Sequence, residues 1–110
     1  MNKTVAVALL TAVALSACAK RPDAISPLVM PTTAYANLDC SQLGAEHRKS
    51  KAALDAASKA QNDAATGDAV GVFLIGVPVS SLGGGDKEGN VALHKGEIVA
   101  IEAVQKNKAC

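Results

Sequence analysis

DCSQLGAEHRKSKAALDAASKAQNDAATG, residues 39–67, is the stretch that decides the fold. Eight alanines lie between Ala45 and Ala65, and alanine has the best helix propensity of any residue. Cys40, Leu43, His47, Ser50, Leu54, Ala57, Gln61 and Ala64 recur at alternating spacings of three and four. None of them is charged, so they form one uncharged stripe, the pattern of a coiled-coil seam. Asp39 followed by Gln42 is a glutamine version of the capping box and marks the start. Asp55 and Lys59 make a favourable i,i+4 pair on the outer face. Gly67 is a natural stop. These signals predict one long helix over 38–66.

The seam has only two leucines and needs a partner, which the C-terminal stretch 86–110 supplies. Val91, His94, Ile98, Ile101 and Gln105 form a matching stripe, with Leu93 and Val104 beside it. Asp86 can cap this second helix, Glu88 suits its first turn, and Lys106 and Lys108 suit its last. Gly89 and Gly96 weaken it by roughly 1 kcal/mol each relative to alanine, which moves the expected start towards Asn90. The fold class expected is therefore all-α: an antiparallel two-helix hairpin over 38–110. Seams this weakly apolar leave room for a homodimer packed as a four-helix bundle.

Between the helices, 67–85 forms the expected tip. From Ala69 to Gly85 there is no charge, and Val70 to Val79 is apolar apart from two glycines and Pro78. The run is too short to span a bilayer, and Pro78 opposes a continuous helix through it. Val72, Phe73, Leu74, Ile75 and Val77 are the candidate interaction residues, because an exposed apolar patch usually marks a contact surface.

The other end of the chain carries a different signal. Lys3 precedes Val5 to Ala14, an uncharged run of about ten residues, in the range of a signal-peptide core and short of a membrane span. The following Leu15-Ser16-Ala17-Cys18 resembles the lipobox of bacterial lipoproteins at all four positions. That resemblance implies cleavage between Ala17 and Cys18, diacylglycerol on the Cys18 thiol and an acyl chain on the new amino terminus. No other cofactor is expected. Ala19 rather than Asp after the cysteine implies outer-membrane sorting, facing the periplasm, if the host is Gram-negative. Residues 1–17 are then a signal peptide. Residues 18–37, with Pro22, Pro27 and Pro31, read as a flexible tether holding the hairpin away from the membrane.

Lipid on Cys18 leaves Cys40 and Cys110 as an even pair in an oxidising compartment. Two unbridged thiols are the alternative. A bridge would place residue 64 opposite residue 86, so one helix would end where the other begins. Helix limits drawn from caps and glycines agree with that register.

No catalytic constellation emerges. Under the bridged register His47 and His94 lie about nine residues apart along the axis, roughly 13 Å at 1.5 Å per residue, too far to share zinc. No metal site is expected. Gly83-Gly84-Gly85-Asp86-Lys87 lacks phosphate-loop spacing, and Ser80 and Ser81 lack a Gly-x-Ser-x-Gly setting. The acidic residues are expected on outward faces. Without Lys3 the chain has ten basic and ten acidic residues, which excludes a nucleic-acid stripe.

Tyr35-x4-Cys40-x-Gln42-Leu43-x2-Glu46, the apolar tip, Lys95-Gly96-Glu97 and a terminal Cys110 together resemble a group of small proteobacterial lipoproteins of uncharacterised function. The resemblance implies a membrane-associated two-helix body and no activity. The expected function is a lipid-anchored envelope protein acting as a non-enzymatic interaction or structural module for a protein partner. The alternative is a protein whose tip, 69–79, inserts into a bilayer and perturbs or bridges membranes.

Overall fold

The computed structural model describes residues 18–77 and 85–110. The signal-peptide assignment, including Ala17, and residues 78–84 of the expected tip lie outside them. Two helices pack side by side: α1, Cys40–Ile75, and α2, Glu88–Asn107. Among the described residues there is no strand. The molecule is a rod of 63 × 26 × 17 Å.

α1 starts where the capping box put it. The Gln42 amide donates to Asp39 Oδ1 at 2.8 Å, and the Asp39 amide donates to Gln42 Oε1 at 2.9 Å. It does not stop at Gly67: it runs 36 residues to Ile75. The stop is Gly76, whose φ of 76° is left-handed and suits a residue without Cβ. The reason lies in the seam, which continues beyond Ala64 through Asp68 and Gly71 at the same spacing, both buried. A charged residue in phase hid that continuation. At about 1.5 Å per residue, α1 is roughly 54 Å long.

α2 begins at Glu88 and ends at Asn107, inside the expected 86–110. Asp86 does not occupy the cap position, which falls to Lys87. Its carboxylate nevertheless accepts the Glu88 amide at 2.9 Å. Cys40 and Cys110 are bonded, with Cα atoms 5.5 Å apart. The register follows from this bond: His47 meets Glu102, Ser50 meets Glu97, and Gln61 meets Lys87.

Residues 18–37 are not a loose tether. They run the length of the rod as a strap, from Asp68 of α1 to the disulfide end. Proline-rich backbone makes few internal hydrogen bonds, so its carbonyls need donors from elsewhere. The helices provide them. Lys95 Nζ donates to the carbonyls of Pro22 and Ile25, Gln61 Nε2 to that of Lys20 at 2.7 Å, and Lys108 Nζ to that of Leu38 at 2.7 Å. The Leu28 amide donates to the Ala92 carbonyl at 2.8 Å. Two short 3₁₀ turns, Pro22–Ala24 and Thr32–Ala34, bend the strap.

The core consequently has three contributors. Leu43, Ile101 and Val104 cluster near the disulfide, with Tyr35 of the strap and the adjoining Leu38 packed on them. Ala19 packs on Ala64 and Ala65 at the other end. α2 buries Val91 and Ile101 of its expected stripe, and also Gly96, Ala100 and Val104, a row at i,i+4 spacing.

Candidate functional site

The two expected functional features, Cys18 and the apolar residues, meet at one end of the rod. Asp68 is fully buried, and its Oδ2 accepts the buried Ala19 amide at 2.7 Å. Arg21 donates to the Asn62 carbonyl at 3.2 Å and to Thr66 Oγ1 at 3.1 Å. Lys20 pairs with Glu88 at 3.3 Å. Gln61, also fully buried, joins this corner to α2: one end of its amide holds the strap and the other accepts the Lys87 amide. Cys18, half-buried, is thereby held at the level of Asp68.

One turn further along, α1 leaves the bundle. Under the observed register the first residue of α2, Glu88, faces about residue 62, so the last dozen or so residues of α1 project past it. Val70 is 51% exposed, Phe73 88%, Leu74 69%, Ile75 69% and Val77 38%. Val72 is half-buried. Phe73, Leu74 and Ile75, expected in a loop, belong to the final helical turns. Val70, Phe73 and Leu74 follow i, i+3, i+4 and make one face, and Val77 lies just past the Gly76 stop. Ile75 continues the seam of Ala64, Asp68 and Gly71 on the other side. The projecting end is thus apolar around most of its circumference. No described helix is long and apolar enough to cross a membrane.

Midway along the rod lies a polar cluster. Glu97 does not face outward as expected: its Oε2 accepts the Ser50 hydroxyl at 3.0 Å and meets His94 Nδ1 at 2.9 Å. The serine proton points at the carboxylate rather than at an imidazole, which is the wrong order for an activated nucleophile. His47 instead meets Glu102 at 3.0 Å, so the two histidines serve separate carboxylates. Among the described residues, no group of three or more His, Cys, Asp or Glu is placed to hold a metal.

Tyr35 is pushed above the ordinary tyrosine pKa by burial and, secondarily, by the negative charge of Glu97 and Glu46. The folded state therefore favours the neutral phenol. That contribution to stability is complete below about pH 10, the ordinary value, and is lost as pH rises through the folded pKa. Tyr35 is the chain's one tyrosine and there is no tryptophan, so alkaline absorbance reads it directly. The native midpoint is expected above that in denaturant; equal midpoints would mean that the phenol is fully solvated.

Sequence reasoning missed Asp68, Lys95 and Gly96 as the residues that seat the strap. Asp68 carried one usable signal, its phase with the seam; Lys95 and Gly96 carried none. No family model, curated protein or solved structure matches the chain.

Proposed function

We propose that the chain is a bacterial envelope lipoprotein, anchored by diacylglycerol and an N-acyl chain on Cys18, whose rod is a non-enzymatic interaction or structural module. The observation that carries this reading is Leu15-Ser16-Ala17-Cys18 placed directly after a charge-free apolar run. Two or more acyl chains hold a protein stably on a membrane, where one binds reversibly. Ala19 after the cysteine favours the periplasmic side of the outer membrane in a Gram-negative host. The long rod, with its exposed alanine-rich and charged outer face on α1, suits a protein partner or a second copy of itself. Balanced charge gives nucleic acid no stripe to bind. The polar cluster of Ser50, Glu97 and His94 supports a structural rather than a catalytic role, because the Ser50–Glu97 bond joins the two helices and His94 steadies the same carboxylate from within α2.

The membrane-perturbing reading has one observation in its favour, the exposure of Phe73 at the end of α1.

Metabolic labelling with an alkyne fatty acid tests the anchor. The wild-type chain is expected to take up label and fractionate with membranes, at a mass beginning at residue 18 plus lipid. Cys18→Ser is expected to lose the label. An unlabelled wild-type protein would refute the proposal.

A further inference from the structure

We propose that the apolar end of α1 is seated in the same membrane leaflet as the acyl chains of Cys18, so that the rod stands on its anchor with the Cys40–Cys110 end outermost. This rests on the lipoprotein reading and adds an orientation to it. A flexible tether would leave the tip free to point anywhere, whereas the strap fixes it. The Ala19 amide is bound to buried Asp68, and Phe73 lies five residues further along the same helix, about 8 Å at 1.5 Å per residue. Acyl chains leaving Cys18 and the side chains of Phe73 and Leu74 therefore reach the same plane.

The composition of the end fits that plane. Asp68 is the last charge before Asp86, so an uncharged zone begins immediately past the residue that holds Ala19. A helix end apolar around most of its circumference requires burial, and α2 does not extend far enough to cover Phe73, Leu74 and Ile75. A lipid leaflet surrounds it completely, which a flat protein partner does not. Just behind it lies a charged collar of Lys20, Arg21, Asp63, Lys87 and Glu88, partly exposed and at the depth of the headgroups. Insertion is also limited in depth, because no described helix is long and apolar enough to cross a membrane. The disulfide end then stands about 42 Å from the level of Asp68, the rise of 28 helical residues.

The test uses lipidated protein extracted from the envelope and reconstituted in phosphatidylethanolamine–phosphatidylglycerol vesicles. The chain has no tryptophan, so Phe73→Trp and, as a distant control, Val99→Trp each introduce a single probe. Val99 is exposed on α2, roughly 25 Å from the Asp68 level under the observed register. Phe73→Trp is expected to emit at shorter wavelength in vesicles and to be quenched severalfold more by brominated acyl chains than Val99→Trp. Equal quenching at both positions, or none at either in protein that floats with vesicles, would overturn the orientation while leaving the anchor intact. Blue-shifted emission without lipid quenching, together with a dimer by sedimentation, would mean that a second copy covers the end, which also overturns it. Protein that carries no lipid and fails to float would remove the lipoprotein reading itself, and the orientation with it.

Discussion

Replacing both Cys40 and Cys110 with serine is expected to lower the unfolding free energy by about 4 kcal/mol. The bond closes a loop with a sequence separation of 70, and the chain-entropy cost of opening such a loop in the denatured state is about that size. The effect is large because little else holds this end. Its core is Leu43, Ile101 and Val104 with Tyr35 and Leu38 against them, a small cluster for a helix pair. α2 has 20 residues, two of them glycine, and such a helix is marginal on its own in water. A domain of this kind is stable by roughly 5–15 kcal/mol in total, so the bond accounts for a large share. Urea unfolding of the double variant beside the oxidised wild type measures it. An unchanged midpoint would mean that the strap and the helix interface suffice alone.

The second large effect runs against a general rule. Glycine to alanine inside a helix normally stabilises by about 1 kcal/mol, yet Gly96→Ala is expected to destabilise by about 2 kcal/mol. A Cβ at position 96 would collide with the Leu28 carbonyl oxygen and lie 3.3 Å from Met30 Cγ. The first obstacle is backbone, so the strap itself must move. Overpacking of that kind costs about 1–3 kcal/mol, and displacing Leu28 also breaks its bond to the Ala92 carbonyl, about 1 kcal/mol more. These terms exceed the propensity gain. Gly89→Ala is the internal control: nothing lies within 4 Å of its added Cβ, so it is expected to be neutral or stabilising by up to about 1 kcal/mol. Thermal unfolding of the two variants should shift in opposite directions. Protease cleavage within residues 20–30 should accelerate only in Gly96→Ala. Parallel shifts would show that the strap does not depend on this close approach.

Much of the architecture was readable before any coordinates. The capping box at Asp39 and Gln42 needs only two residues three apart, and it formed as expected. The stripe from Leu43 to Ala64 is a periodic signal of one helix and needs no knowledge of its partner. Bridging Cys40 to Cys110 set the register, which His47 with Glu102 and Gln61 with Lys87 then follow. The length of α1 is not legible, because Gly67 is a local stop signal whereas the continuation depends on Asp68 being buried against Ala19, a residue 49 positions away. A charge is expected in water, which points Glu97 outward, yet Ser50 and His94 both meet its carboxylate.

What the sequence by itself determined was the set of features encoded within a few turns: the helix start, the two stripes and the apolar segment that follows Asp68. Hydrogen-bond caps, the 3.6-residue period and charge patterning act over short spans, so they are legible there. What only the tertiary structure decided was the path of residues 18–37. A proline-rich segment has no period of its own, and carbonyls within it are satisfied by Lys95 and Gln61, which lie far away in the chain. Docking of that segment on Asp68 brings Cys18 to the same end as Phe73, because only a folded strap has a direction.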